Sequence, residues 1–198
     1  MGEALWIGVL SYLIGSISFS YWMTRILHGT DIRKHGSGNA GATNMLRVVG
    51  KGPALIVFLL DMLKGMAAVG LAWAWTGEPT WMMMGGVAAI IGHNWPVFLG
   101  FRGGKGIATT IGVTVLLTLS AALAAGTLAI LTIAFTRYVS LGSLIFAAGL
   151  PIAIFLFDYP SSYVTLSLVI TLMAFIRHAS NIKRLVQGTE SKLGAKKP

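Results

Sequence analysis

The sequence predicts an all-α integral membrane protein with seven transmembrane helices, an N-terminus outside the membrane and a C-terminus in the cytoplasm. Of its 198 residues, 55% are hydrophobic and only 11% are charged, which is too apolar for an ordinary soluble domain. Several apolar runs reach the ~20 residues that a helix needs to cross a bilayer. With seven crossings, the lysines and arginines fall on the cytoplasmic side, as the positive-inside rule requires.

Six apolar runs account for these helices, and the fourth is long enough to hold two. The runs cover residues 4–23, 53–75, 81–101, 107–136, 141–157 and 163–176. The first has neither the basic segment nor the cleavage site of a removable signal peptide, so we expect it to remain as a helix. We treat residues 1–198 as a single membrane-embedded domain, in which 186–198 form a basic, flexible cytoplasmic tail.

The run at 107–136 is either one strongly tilted helix or two shorter helices with a turn near Ser120. One helix would place the basic loops 33–51 and 102–105 on the opposite side from the basic segment 177–197. Two helices place all three segments in the cytoplasm, so charge favours two helices. The outer segments then hold Glu3, Glu78 and Asp158.

Composition also excludes several kinds of chemistry. The chain has no cysteine, so it can form neither disulfides nor thiolate metal sites. Its net charge of +9 lies in the predicted cytoplasmic loops, which indicates contact with anionic lipid headgroups rather than with nucleic acid. We therefore expect membrane lipids as partners.

The first cytoplasmic loop reads HGSGNAGATN, and it contains the spacing G-x-G-x-x-G at Gly36, Gly38 and Gly41. A dinucleotide fold is excluded because an apolar run, not a strand, precedes the loop. Glycine still permits successive N–H groups to converge on an anion, and a helix beginning at about Ala42 would add its dipole. The residues alone leave two interpretations open, an anion-binding loop or a simple turn between membrane helices.

The second cytoplasmic loop, RGGKG, places Lys105 between glycines just before a helix that begins near Ile107. This arrangement is typical of a phosphate ligand, although Gly106 stands where a P-loop needs Ser or Thr. An ordinary basic turn is the alternative.

In the tail, His178 and Asn181 are three residues apart and share a helix face. His178 is either an acid/base candidate or an interfacial polar residue.

The predicted cytoplasmic segments are poor in carboxylates. They contain only Asp31 and Glu190, which cannot form the magnesium cluster that phosphoryl transfer from a nucleotide requires. We therefore expect no metal and no cofactor.

Polar residues also lie within the apolar runs. We interpret Asp61 and Lys64 as a mutually neutralising pair or, alternatively, as a pair that shapes the site. We interpret His93, which is close to Pro96, as marking a helix kink rather than as a catalytic group.

Three segments resemble the cytoplasmic motifs of the bacterial acyl-phosphate-dependent glycerol-3-phosphate acyltransferases. They are GSGNAGATN at 36–44, GHNWPVFLGFRGGKGIAT at 92–109 and RHASNIKRL at 177–185, and FLLDMLKG at 58–65 resembles the second helix of the family. Two residues depart from the family pattern: Arg102 stands where Lys is common, and Ser180 stands where an acid usually precedes the Asn.

The resemblance implies that a fatty acyl phosphate donates its acyl group to the 1-hydroxyl of glycerol 3-phosphate, giving lysophosphatidic acid and phosphate, the first acylation of phospholipid synthesis. It implies a bacterial cytoplasmic membrane protein with its active site on the cytoplasmic face, supplied with donor by another enzyme. The implied catalytic residues are Ser37, Lys105, His178 and Asn181. The implied substrate-binding residues are Gly38, Asn39, Thr43, Asn44, Arg47, Gly103, Gly104 and Gly106. The alternative from another class is a membrane transporter or channel for a small phosphate-bearing anion.

Overall fold

The computed structural model describes residues 2–194, and within that range the chain is all-helical, as predicted. It contains ten α-helices: α1 (Gly2–Ser16), α2 (Phe19–His28), α3 (Ala42–Val48), α4 (Lys51–Thr76), α5 (Pro79–Asn94), α6 (Ile107–Leu117), α7 (Leu119–Thr136), α8 (Val139–Leu156), α9 (Ser161–Arg177) and α10 (Ala179–Val186). Short 3₁₀ turns occupy Ile32–Lys34 and Val97–Leu99.

The described residues contain five helical segments that are long and apolar enough to cross a membrane. They are Leu5–His28, Lys51–Thr76, Pro79–Leu99, Leu119–Thr136 and Val139–Leu156. The pair α9 and α10 forms a sixth if it is counted as one span bent by 61°. Helix α6 is apolar but only 11 residues long. The exact number of seven spans therefore stays a prediction.

The predicted division of the run at 107–136 is confirmed. Helix α6 ends at Leu117 and α7 begins at Leu119, so the break falls at Thr118, two positions before the predicted turn at Ser120. The backbone of Thr118 has φ −143° and ψ 56°, which is not helical. The chain also divides into two compact units at this point, and each unit is described separately below.

The first unit ends at Leu117, and its helices pack with backbone in contact with backbone. A Cβ at Gly92 of α5 would meet the carbonyl oxygen of Tyr12 in α1. Likewise, a Cβ at Gly112 of α6 would meet the carbonyl oxygen of Met62 in α4. Small residues at such crossings are how membrane helices approach closely. This packing holds α5 and α6 against α1 and α4, and the second loop of the site lies between α5 and α6.

The second unit begins at Thr118 and contains α7, α8, α9 and α10. The Thr171 hydroxyl of α9 donates a hydrogen bond of 2.6 Å to the carbonyl of Ala147 in α8. After α10, the chain returns to the turn between α7 and α8, where the Leu193 N–H donates to the Arg137 carbonyl at 2.7 Å. Residues 186–194 of the predicted basic tail are thus placed by the structure, and 195–198 lie outside the described residues.

The absence of native cysteine makes the predicted topology directly testable by cysteine labelling. We expect Asn39→Cys to react only with reagent on the cytoplasmic side, because it lies in a basic loop. Glu78→Cys and Ser120→Cys should react only with reagent outside. Labelling of Ser120→Cys from the cytoplasm would contradict the assignment of α6 and α7 to separate crossings.

Candidate functional site

The first loop, residues 29–41, is organised by one buried amide. Asn44 is 1% exposed, and its Oδ1 accepts a hydrogen bond of 2.8 Å from the N–H of Ser37. Its Nδ2 donates to the carbonyl oxygens of Ile32, His35 and Asn39 at 3.2, 3.0 and 3.0 Å. The Asn44 side chain therefore folds the loop around itself, a role that the sequence did not reveal.

Glycine at position 36 allows this arrangement. Gly36 has φ +61°, and a Cβ there would meet Oδ1 of Asn44. Both the backbone angle and the lack of space exclude a larger residue. Helix α3 begins at Ala42, as predicted, and the buried side chains of Ile32, Met45 and Val57 pack beneath the loop. The loop is thus a folded element with a small core of its own.

The predicted phosphate ligands of this loop differ in exposure. Ser37, Gly38 and Arg47 are exposed, and Asn39 and Thr43 are half-buried. All of these residues are placed where an anion can reach them from solvent. Their role in binding substrate stays a prediction.

Arg33 joins the first loop to the second. Its guanidinium forms an ion pair with Asp31 at 2.8 Å and donates to the carbonyl oxygens of Leu99 at 2.7 Å and of Arg102 at 3.5 Å. The hydrogen bond from Arg33 holds the pKa of the Asp31 carboxyl below its ordinary value. One of the two predicted cytoplasmic carboxylates is therefore engaged in holding the loops together.

A hollow of about 580 Å³ lies between these two loops. Its lining includes Lys34 and Gly38 from the first loop and Arg102 from the second, together with the Arg33–Asp31 pair. Three cations and one carboxylate line it, so the electrostatic potential favours an anion.

The second loop, Arg102–Gly106, packs directly on the end of α5. The N–H of Gly103 donates to the carbonyl of Asn94 at 3.3 Å, and the N–H of Gly104 donates to the carbonyl of His93 at 3.0 Å. Gly103, Gly104 and Gly106 are buried, whereas Lys105 is half-buried.

Gly104 brings the two loops together. A Cβ on this residue would meet Nε2 of His93 and lie 2.9 Å from the carbonyl oxygen of Ala40. The backbone of the second loop therefore lies close to both the end of α5 and the first loop. The structure thus brings together two of the three segments that the sequence predicted to carry the site.

A row of buried polar side chains extends beneath the second loop. The ammonium of Lys64 lies 2.8 Å from Oδ1 of Asp61, and Nδ1 of His93 lies 3.5 Å from the same oxygen. All three side chains are buried. The predicted pairing of Asp61 with Lys64 is confirmed. His93 lies in the last turn of α5, just before the helix breaks at Trp95 and Pro96, and its contact with Gly104 was not foreseen.

The third predicted segment, in the second unit, lies at the bend between α9 and α10. His178 is 2% exposed, and its Nδ1 lies 2.8 Å from the carbonyl oxygen of Ala174. The N–H of Asn181 donates to the carbonyl of His178 at 2.8 Å, so both residues belong to one turn, as predicted. In neutral His178, the contact with Ala174 places the ring proton on Nδ1.

Glu190 holds Asn181 in place. Its Oε1 accepts hydrogen bonds from Nδ2 of Asn181 at 2.7 Å and from the hydroxyl of Ser140 at 2.9 Å, while Oε2 accepts from Arg184 at 2.7 Å. Burial alone would raise the pKa of the Glu190 carboxyl, but these hydrogen bonds hold it below its ordinary value. Ser180, where the sequence lacks an expected acid, is exposed, and Glu190 is the acid that contacts Asn181.

These features define a class: a multi-helix membrane protein with cationic, glycine-rich loops suited to anionic groups. The sequence model of the family described as glycerol-3-phosphate acyltransferase matches residues 5–188. The chain is 53% identical to the glycerol-3-phosphate acyltransferase of Halalkalibacterium halodurans, over 98% of both chains. It is 52% identical to the one from Shouchella clausii, over 95% of both. The chain belongs to the glycerol-3-phosphate acyltransferase family.

The fold is also that of solved membrane proteins. The chain is similar to the crystal structure of PlsY (YgiH), described as an integral membrane glycerol 3-phosphate acyltransferase, in its glycerol 3-phosphate form. That match has a TM-score of 0.91 and 37% identity over 96% of both chains. The lysophosphatidic acid form gives a TM-score of 0.88 and 35% identity, over 96% of this chain and 95% of that one.

The contacts of Glu190 predict a pH-dependent effect on stability. Glu190→Gln should lower the free energy of unfolding at neutral pH by about 1 to 3 kcal/mol, because Arg184 loses its charged partner. The folded-state pKa of Glu190 lies below its ordinary value of 4.5, so this contribution is complete above that value. It is lost as the pH falls through the folded-state pKa.

Thermal unfolding of the purified protein, measured from neutral to acid pH, checks this expectation. Glu78→Gln is the matched control, because Glu78 is exposed, and it should melt like wild type. Equal melting of Glu190→Gln and wild type at neutral pH would contradict the assigned role of the carboxylate.

Proposed function

We propose that this protein transfers a fatty acyl group from acyl phosphate to the 1-hydroxyl of glycerol 3-phosphate, producing lysophosphatidic acid and phosphate. The observation that carries the proposal is the packing of the second loop, which contains Lys105, against the first loop at Gly104. Both substrates bear phosphate, and these loops gather cations and side-chain donors in one region. The names of the curated relatives and of the solved PlsY structures support the acceptor and the product.

Phosphate binding is assigned to the exposed and half-buried groups of the two loops. Ser37, Asn39 and Thr43 supply side-chain donors. The N–H of Gly38 donates to the carbonyl of His35, and its lack of a side chain leaves room for the phosphate. Arg47 and Lys105 supply positive charge. Asn44 contributes by shaping the loop, because its amide is engaged with loop backbone.

An acyl phosphate suits the chemistry that the chain offers. The donor is a mixed anhydride and is already activated, so no cysteine nucleophile or nucleotide is needed. The two predicted cytoplasmic carboxylates are bound to Arg33 and Arg184, and we assign them structural roles. The reaction is therefore proposed to proceed without a metal.

In the proposed reaction, the 1-hydroxyl oxygen bonds to the acyl carbonyl carbon, and the bond between that carbon and the phosphate oxygen breaks. The hydroxyl proton passes to the departing phosphate, so no protein base is required. Lys105 stabilises the negative charge that collects on the phosphate. His178 and Asn181 are proposed to orient the reacting groups by hydrogen bonding, with Asn181 held by Glu190.

The proposed cellular setting is a bacterial cytoplasmic membrane, with the reaction on the cytoplasmic face. The basic loops favour that side, since positive residues are retained in the cytoplasm. Acyl phosphate would come from another enzyme. The alternative of an anion transporter is weakened by family membership and by the absence of internal repeats in the sequence.

Donor choice is the direct test of the proposal. Purified protein in lipid vesicles should convert palmitoyl phosphate and glycerol 3-phosphate to equal amounts of lysophosphatidic acid and inorganic phosphate. Palmitoyl thioesters should not support the reaction. Lys105→Ala should lower kcat/KM by about 30- to 5,000-fold, which corresponds to about 2 to 5 kcal/mol for an uncompensated phosphate charge.

Lys51→Ala is the matched control, because Lys51 is an exposed lysine at the start of α4. Its kcat/KM should stay close to that of wild type. Efficient use of a thioester, or a Lys105→Ala variant as active as the control, would overturn the proposed donor or the proposed role of the loop.

A further inference from the structure

The polar side chains beneath the second loop connect it to the helix that leads into the first loop. The ammonium of Lys64 donates a hydrogen bond of 2.7 Å to the carbonyl of Ile17. Ile17 lies in the break between α1 and α2, and α2 leads to the first loop. Lys64, Asp61 and His93 thus form a continuous series, which we call the buried charge chain, from that break to Gly104.

The buried charge chain differs from a simple neutralised ion pair. A buried pair such as Asp61 and Lys64 is replaceable by apolar residues of similar size when neutralisation is its only role. Here the same carboxylate oxygen also faces Nδ1 of His93, at 3.5 Å. At this distance the contact is electrostatic rather than a hydrogen bond of ordinary length, and it favours a ring proton on Nδ1. The other ring nitrogen, Nε2, faces the backbone of the second loop at Gly104.

The position of Gly104 shows what the oriented ring does. Since a Cβ on Gly104 would meet Nε2 of His93, the ring is in contact with the loop backbone directly before Lys105. The carbonyl oxygen of Ala40 in the first loop lies 2.9 Å from the same Cβ position, so the ring, the second loop and the first loop meet at Gly104. A rotation of the ring would move Lys105 relative to the first loop.

We propose that Lys64, Asp61 and His93 are positioning residues that hold the second loop against the first, so that Lys105 meets the substrate phosphate. This inference rests on the proposed function for the identity of that phosphate. It assigns the three buried side chains to the geometry of phosphate binding rather than to contact with the reacting atoms.

Two variants and two measurements test the proposal. Asp61→Asn combined with Lys64→Met removes both charges together, so no unpaired charge is left buried. His93→Phe keeps a ring but removes both nitrogens. In each variant, hydrogen exchange at the amides of residues 103–105 should be at least about tenfold faster than in wild type, because the loop has lost its support.

The kinetic expectation is a split between KM and kcat. The KM for glycerol 3-phosphate should rise at least about tenfold, while kcat falls by less than about threefold, because Lys105 remains present but is poorly held. Ser167→Ala is the control, since it removes a buried hydroxyl from α9, and its exchange and KM should match wild type.

The proposal is overturned if the Asp61→Asn/Lys64→Met variant has the same hydrogen-exchange rates at residues 103–105 and the same KM as wild type. Asp61 and Lys64 would then serve only to neutralise each other's charge. A wild-type protein that does not use acyl phosphate would instead overturn the proposed function. The hydrogen-exchange result does not depend on the reaction, so the two failures are distinguishable.

Discussion

The contact of the Gly104 backbone with the end of α5 and with the first loop is the constraint on which the candidate site depends. Because Gly104 has no side chain, its backbone approaches both the ring of His93 and the carbonyl of Ala40. In our proposal this contact sets the distance between Lys105 and the donors of the first loop. The buried charge chain reaches His93, and Arg33 bonds the first loop to the carbonyl of Leu99.

The two loops and the segment after α9 have one structural feature in common. In each, a buried polar group shapes the backbone, and neighbouring groups are the ones that we propose to bind substrate. Asn44 shapes the first loop, His93 supports the second, and Glu190 holds Asn181. Buried polar groups are favourable only when they are hydrogen-bonded, so each of these groups specifies one local conformation. Substitutions at these buried positions are therefore expected to act on substrate binding through geometry.

Features set by local sequence were predicted from the residues. The helical starts at Ala42 and Ile107 follow from flexible glycines that precede them, and the break at Thr118 follows from charge and length. The pairing of Asp61 with Lys64 follows from their spacing of one helical turn. In each case the interacting residues are close in the chain or share a simple electrostatic rule.

Features set by distant packing were not predicted. His93 meets Gly104 only because α5 ends where the second loop turns back, and periodicity does not reveal that contact. Glu190 reaches Asn181 and Ser140 because the chain folds back after α10. The resemblance to known motifs marked Asn44 as a ligand, whereas its buried position shows that it organises the loop. Side-chain roles of this kind depend on tertiary contacts.

Equilibrium binding of glycerol 3-phosphate to Gly104→Ala tests the central claim most directly. Gly70→Ala, in the interior of α4, is the matched control, because a Cβ there has nothing within 4 Å. The account predicts that Gly104→Ala weakens binding at least about tenfold, or about 1.4 kcal/mol, while Gly70→Ala binds like wild type. Binding by Gly104→Ala with wild-type affinity would show that the close contact between the loops does not position the phosphate site.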